Sequence, residues 1–85
     1  LSSTEYIKLA PNPLVNFLNF DFVVKGYQKL NIDVFETSTG TRVSSRQGVY
    51  AGSRLSFADL SAGVYIFKVT SSDGKLSYQF KMIKL

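Results

Sequence analysis

The chain has 85 residues, 45% of them hydrophobic, and a formal net charge of +4. This length suits one small domain, and the hydrophobic content predicts a folded core rather than disorder. The sequence has no cysteine and no histidine, which excludes disulfides and the Ser-His-Asp, Cys-His and zinc-histidine arrangements. No apolar run approaches the ~20 residues that a membrane-spanning helix needs.

Alternation of apolar and polar residues with a period of two predicts β-strands along most of the chain. In chain order, the predicted strands occupy residues 6–9, 17–24, 29–36, 41–45, 54–57, 64–70 and 75–84. The residues predicted to face the core share one side of the four longer strands: Leu18, Phe20, Phe22 and Val24; Leu30, Ile32 and Val34; Tyr65, Phe67 and Val69; Leu76, Tyr78, Phe80 and Met82.

Turn signals separate these strands. All six glycines are predicted to fall between strands, where the chain reverses and positive φ is needed. Ser-Asp-Gly at residues 72–74 favours a tight hairpin, and Ser-Thr-Gly at residues 38–40 a second turn. About seven short strands with such turns predict an all-β, immunoglobulin-like antiparallel β-sandwich. Residues 6–85 are expected to form the domain, and the polar residues 1–5 to be a linker remnant of a longer parent.

The segment Leu60-Ser61-Ala62-Gly63-Val64-Tyr65 resembles the tyrosine corner of immunoglobulin-like sandwiches. In such a corner a buried tyrosine donates its hydroxyl to a main-chain oxygen a few residues upstream. We therefore expect Tyr65 to be buried, with Leu60 packed beneath the loop. The direct role of this segment is predicted to be structural.

Two further segments stand out near the ends of the sequence. Pro11 and Pro13 fix the backbone on both sides of Asn12 and remove two main-chain donors, which predicts a stiff connector outside the sheets. Lys81 and Lys84 flank an apolar pair in the last predicted strand. This pattern is typical of an edge strand protected by lysines, or of an exposed, basic strand that a partner can extend by strand addition.

The order of these segments carries a family resemblance. The motifs are APNP (residues 10–13), LNFDF (18–22), VFETSTG (34–40), LSAGVYIFKV (60–69) and KMIKL (81–85). Together they resemble the C-terminal sorting domain of the type IX (Por) secretion system of Bacteroidota, type A, over about residues 7–85. The chain departs from the common pattern at Glu36, where the family often has aspartate, and at Leu85, where many members end in lysine.

The resemblance implies a non-catalytic secretion signal without a cofactor. The parent would cross the inner membrane with its own signal peptide, and this domain would fold in the periplasm. The outer-membrane translocon of the type IX system would then recognise it, and a sortase-like cysteine peptidase would remove it, leaving the parent at the cell surface or in the medium. By position, the residues carried over as sorting or recognition residues are Pro11, Asn12, Pro13, Gly63, Tyr65, Lys81 and Lys84.

Three alternative functions are considered: a glycan-binding module, a passive spacer and an enzyme. A fibronectin-like glycan-binding module would use Tyr27 and Tyr50, which are predicted to lie in different loops. A passive spacer would have no partner at all. An enzyme is the least favoured, since its only paired acids would be Asp21 and Asp33, if these lie on the polar faces of neighbouring strands.

Expected partners follow from charge and edges. Arg42, Arg46 and Arg54 are too scattered along the sequence to predict a nucleic-acid surface. The exposed edge strands of a sandwich favour a homodimer formed by edge pairing.

Overall fold

The structure, a computed structural model, describes residues 1–85. Its elements are β1 (Tyr6–Ala10), β2 (Phe17–Val23), β3 (Lys29–Glu36), β4 (Arg42–Tyr50), β5 (Ser53–Ser56), β6 (Gly63–Thr70) and β7 (Ser77–Lys84). They form a three-stranded sheet in the order β1-β2-β5 and a four-stranded sheet in the order β4-β3-β6-β7. All neighbouring strands are antiparallel, which confirms the predicted all-β sandwich. No helix in the structure is long and apolar enough to cross a membrane.

The core lies between the two sheets and follows the alternation of the sequence. The inward residues predicted for β2, β3 and β6 are all buried, and in β7 Met82 is buried while the others are half-buried. Aromatic rings link the layers: Phe57 meets Phe67 edge-on, with 5.2 Å between ring centroids. Because Phe57 follows the three-stranded sheet and Phe67 lies in β6, this contact holds the two sheets together.

Strand β4 continues to Tyr50, five residues beyond the predicted strand at residues 41–45. The prediction was too short because the inward positions of β4 are polar. Ser44 and Arg46 point inward, so the apolar alternation that reveals a strand is missing there. The Arg46 guanidinium lies 4.5 Å from the Phe57 ring centroid, and it donates a hydrogen bond of 2.6 Å to the Ser56 main-chain oxygen. An inward-pointing charge of this kind joins the two sheets and discourages edge-to-edge pairing at β4.

A β-bulge interrupts the pairing of β3 with β4. Leu30 pairs with Val49 and Ile32 with Arg46, so Asn31 faces two residues of β4. One of them is Gly48, with φ of 65°, and its N–H donates 2.8 Å to the Asn31 Oδ1 atom. A left-handed glycine at such a bulge is a recurring device. The prediction that every glycine falls between strands is therefore wrong for Gly48, and also for Gly63, which begins β6.

The predicted Asp73-Gly74 hairpin is confirmed between β6 and β7. Gly74 has φ of 75°, and the Asp73 Oδ1 atom accepts hydrogen bonds from the Ser71 hydroxyl at 2.6 Å and from the Lys75 N–H at 3.0 Å. These donors stabilise the ionised carboxylate, the Ser71 hydroxyl most of all, and they lower the pKa of Asp73 to about 2.

Acid is expected to weaken this hairpin. Because the folded-state pKa of Asp73 lies below its ordinary value of 3.8, its stabilising contribution is complete above that value and is lost as the pH falls toward about 2. The urea midpoint should therefore drop between pH 5 and pH 2, and it should drop less in Asp73→Asn than in the wild type. Asp59→Asn is the matched control, since this exposed carboxylate lies outside the hairpin. An equal drop of the urea midpoint in wild type and Asp73→Asn would show that the Asp73 carboxylate does not stabilise the hairpin.

Candidate recognition site

The segment after β1 lies against the outer edge of β7. The Asn12 side chain donates from Nδ2 to the Lys81 main-chain oxygen at 3.1 Å, and its Oδ1 accepts from the Ile83 N–H at 3.0 Å. Leu14 continues the contact: its N–H donates to Ile83 O at 2.8 Å, and its oxygen accepts from Leu85 N–H at 2.9 Å. We call this contact, residues 12–14 against residues 81–85, the clasp.

The clasp closes part of a sheet edge. A carboxamide offers one N–H donor and one oxygen acceptor, as a peptide group does, so Asn12 substitutes for a neighbouring strand where the prolines on both sides cannot donate. The prediction of an open strand end at residues 81–85 is therefore wrong for its main-chain groups. The outward groups of Ser77 and Gln79 have no strand beside them, because β7 pairs with β6 alone.

Leu14 anchors the clasp in the core. Its side chain is fully buried, and its backbone forms an isolated parallel bridge with Lys84. The sequence did not reveal this residue as core, since it lies outside any alternating run. The available signal was a single leucine directly after the Pro-Asn-Pro motif.

The tyrosine corner predicted at residues 60–65 is confirmed. Tyr65 is 3% exposed, and its hydroxyl donates to the Ser61 main-chain oxygen at 2.6 Å. Leu60 packs against the core below the loop. Gly63 pairs with Lys84 across the β6–β7 ladder, so the corner lies directly beside the strand that the clasp covers.

Replacing Tyr65 with phenylalanine is expected to lower the free energy of unfolding by about 1–2 kcal/mol, because it removes the hydrogen bond to Ser61 and leaves a carbonyl without that donor. Urea denaturation of wild type and variant measures this loss. Tyr78→Phe is the matched control, because this half-buried ring lies in β7 away from the corner. Equal midpoints for Tyr65→Phe and wild type would show that the hydroxyl adds nothing to stability.

The two lysines of β7 have different environments. Lys81 is exposed, whereas Lys84 is only 6% exposed, and its Nζ donates to the Leu85 main-chain oxygen at 2.9 Å. The predicted exposed, basic end is therefore wrong for Lys84, because this residue shares the inward side of β7 with Met82. Only Lys81 presents its ammonium group to solvent from this part of the strand.

The structure brings the sequence-predicted residues together at one end of the sandwich. Asn12 bonds to the backbone of Lys81, Gly63 pairs with Lys84, and Tyr65 pairs with Met82 between those two lysines. The full group is Pro11, Asn12, Pro13, Gly63, Tyr65, Lys81 and Lys84. Three motifs that are far apart in the sequence thus meet at one end of the sandwich, where Tyr65 and Lys84 are buried and Asn12 and Lys81 are exposed.

Comparison with known protein families shows which family the chain belongs to. The sequence model of the secretion system C-terminal sorting domain matches residues 8–84, a range that contains every residue of this group. The chain belongs to that family. Members of this family act as C-terminal sorting signals of the type IX secretion system and are generally non-catalytic. No curated protein and no solved structure matched the chain.

The paired acids considered from sequence are separated in the sorting domain. Asp21 lies in β2 and Asp33 in β3, which belong to different sheets. The two acids therefore do not lie on neighbouring strands, which was the condition for their pairing. Asp21 accepts the Tyr6 hydroxyl at 2.8 Å, while Asp33 lies 3.8 Å from the Arg42 guanidinium. The arrangement does not place two carboxylates around one substrate bond.

The two tyrosines considered for glycan binding share one cleft of the sorting domain. A cavity of about 590 Å³ is lined by residues 26–29, Tyr50, Ser72 and Asp73. Tyr27 lies in the β2–β3 connection, but Tyr50 is the last residue of β4, so the prediction of two separate loops is wrong. The Tyr27 hydroxyl donates to Asp73 Oδ2 at 2.7 Å, and this bond to a carboxylate raises the pKa of Tyr27.

Proposed function

We propose that this domain directs its parent through the type IX outer-membrane translocon, and that the translocon recognises the clasp end of the sandwich. The family match over residues 8–84 carries the sorting function. The convergence of the Pro-Asn-Pro motif, the tyrosine corner and the end of β7 supports the choice of surface. A secretion signal of this kind interacts with the secretion system, and its parent is secreted through the outer membrane.

The clasp offers a physical reason for using a folded domain as a signal. Asn12 and Ile83 are separated by 71 positions, so their hydrogen bond exists only when both sheets are formed. A translocon that recognises this surface therefore selects a folded domain over an unfolded tail. In this proposal Pro11 and Pro13 orient Asn12, Gly63 and Tyr65 hold β6 beside Lys84, and Lys81 supplies an exposed cation.

Removal of the domain outside the cell is a second part of the proposal. A sortase-like cysteine peptidase would cut upstream of β1, in or before the linker at residues 1–5, and residues 6–85 would leave as one unit. The domain would thus pass through the periplasm, and the parent would end at the cell surface or in the medium. Mass spectrometry of the secreted parent tests this: a parent that still carries residues 6–85 would contradict it.

The recognition surface can be tested by export of a fused reporter. The 85 residues are joined to the end of a periplasm-directed fluorescent protein in a bacterium with a working type IX system. Lys81→Gln and Asn12→Ala are expected to lower the fluorescence outside the cell. Lys75→Gln and Asn16→Ala are the matched controls, since these exposed residues lie outside the clasp, and they should export normally.

Melting temperatures of the variants distinguish a loss of recognition from a loss of folding. The Lys81 side chain is exposed and forms no ion pair, so Lys81→Gln should retain the melting temperature of the wild type while losing export. Normal export of both Lys81→Gln and Asn12→Ala would contradict recognition at the clasp, whereas the sorting function itself would stand.

Pairing between two copies is a further proposal. The outer edges of β1 and β4 lie at the ends of their sheets and have no strand beside them. Two domains could pair there through main-chain hydrogen bonds, although Arg46 opposes this at β4. Sedimentation that shows only monomer at high concentration would contradict it.

A further inference from the structure

The cleft beside Tyr50 has the shape and chemistry of a ligand site, and it lies away from the clasp. Its volume of about 590 Å³ falls within the range of ~300–1,000 Å³ that small-molecule sites occupy. Its walls combine two aromatic rings with an amide, an ammonium group and a carboxylate. Tyr50 is 59% exposed, so it offers a ring face that the core does not use.

Strand pairing places the ring and a cation side by side. Lys29 and Tyr50 are direct partners across the β3–β4 ladder, and such partners have Cβ atoms about 5 Å apart on the same face. A bound group that lies against the Tyr50 ring is therefore within reach of the Lys29 ammonium group. Gln28, the exposed neighbour of Lys29, adds an amide donor and acceptor at the same wall.

The far wall of the cleft is held in place by hydrogen bonds. Asp73 accepts from the Tyr27 hydroxyl, the Ser71 hydroxyl and the Lys75 N–H at 2.7, 2.6 and 3.0 Å. These bonds tie the β2–β3 connection to the β6–β7 hairpin across the top of the sandwich. They also engage both oxygens of Asp73, so this carboxylate acts as part of the wall.

Charge decides the class of ligand. Lys29 lines the cleft, Lys25 lies one residue before the lining segment 26–29, and Lys75 lies two residues after Asp73. None of these three lysines forms a side-chain ion pair, although the Glu5 carboxylate accepts the Lys25 N–H at 2.7 Å and the Asp73 carboxylate accepts the Lys75 N–H at 3.0 Å. Three lysines and two carboxylates, Asp73 and Glu5, therefore lie in or next to the cleft, and this positive balance favours an anion over a cation.

We propose that this cleft binds an anionic saccharide made of hexuronate units. The apolar C–H face of one sugar ring would lie against Tyr50, since the negative face of an aromatic ring attracts polarised C–H groups. The carboxylate of that sugar would accept hydrogen bonds from Lys29, and its hydroxyl groups would meet Gln28 and Ser72. The cleft does not overlap the clasp, because none of its lining residues belongs to it.

Calorimetric titration of the 85-residue chain tests the site. The probes are a hexuronate hexasaccharide and a neutral hexasaccharide of the same linkage. Saturable binding of the acidic sugar is expected, with weaker binding of the neutral one. Tyr50→Ala should lower the affinity for the acidic sugar about tenfold, because the stacked ring is lost. Tyr50→Phe keeps the ring and should bind this sugar nearly as tightly as the wild type does.

Control variants separate a site from general attraction between charges. Lys29→Gln is expected to lower the affinity for the acidic hexasaccharide severalfold. Lys8→Gln, at an exposed lysine on β1, should leave this affinity unchanged. Phe17→Ala, which removes an exposed ring at the end of β2 far from the cleft, should also have no effect. Absence of saturable binding, equal affinity for the neutral sugar, or equal losses in Lys29→Gln and Lys8→Gln would each overturn the proposal.

Discussion

Phe57→Ala is expected to lower the free energy of unfolding by about 3–5 kcal/mol, the range for truncating a fully buried aromatic ring. Phe57 is 0% exposed and meets Phe67 of the opposite sheet at 5.2 Å. The loss has two sources: the apolar area of the ring returns to water, and a cavity opens between the sheets. Arg46, which lies over the same ring, would lose its aromatic partner as well.

Urea denaturation measures this loss, and Phe17→Ala is its control. Phe17 is 43% exposed and lies on the outer side of the three-stranded sheet, with the Arg54 guanidinium 4.0 Å from its ring centroid. Its truncation should cost less than about 1 kcal/mol, since it removes little buried area and one exposed cation–π contact. Similar losses for the two variants would show that Phe57 does not hold the sheets together.

Leu14→Ala is expected to cost about 2–5 kcal/mol. The Leu14 side chain is fully buried, and its backbone makes both main-chain hydrogen bonds of the clasp, to Ile83 and Leu85. A cavity beneath residues 12–14 would loosen the contact with β7, so this variant should lose stability and export together.

Val15→Ala is the matched control for Leu14→Ala. Val15 is the next residue and is 53% exposed, so its truncation should change the urea midpoint little. Amide hydrogen exchange at Leu85 gives a second measurement, because its N–H is protected by Leu14 only while the clasp is closed. Wild-type protection at Leu85 in the Leu14→Ala variant would contradict the anchoring role.

The alternating strands and the tyrosine corner could be predicted from the sequence because local rules determine them. In β2, β3 and β6 every second residue is apolar, and one face of each strand must be buried. Tyr65 was recognisable because the corner spans only residues 60–65, and its hydrogen bond joins residues four positions apart. The Asp73-Gly74 hairpin is equally local.

The parts that the sequence did not reveal depend on contacts between distant residues. β4 was predicted too short because Arg46 points inward and is satisfied by Phe57 and Ser56, which no pattern within β4 indicates. Asn12 gave no sign that it would pair with β7, 71 positions away. Lys84 is buried at the strand end that residues 12–14 cover, whereas a lysine at an open strand end would extend into solvent.

The cleft shows the same limit of local reasoning. Tyr27 and Tyr50 belong to different segments, and only the pairing of Lys29 with Tyr50 and the Tyr27–Asp73 hydrogen bond bring them to one cavity. Both contacts depend on the order of strands in the sheets. That order could not be predicted from the pattern of single strands.

Export of a fused reporter in two hosts tests the sorting function most directly. Residues 1–85 are joined to the end of a periplasm-directed fluorescent protein, and the fusion is expressed in a bacterium with a working type IX system and in its translocon-deficient mutant. Sorting predicts fluorescence at the surface or in the medium of the first host alone. Fluorescence retained in the periplasm of both hosts, with the domain folded, would contradict it.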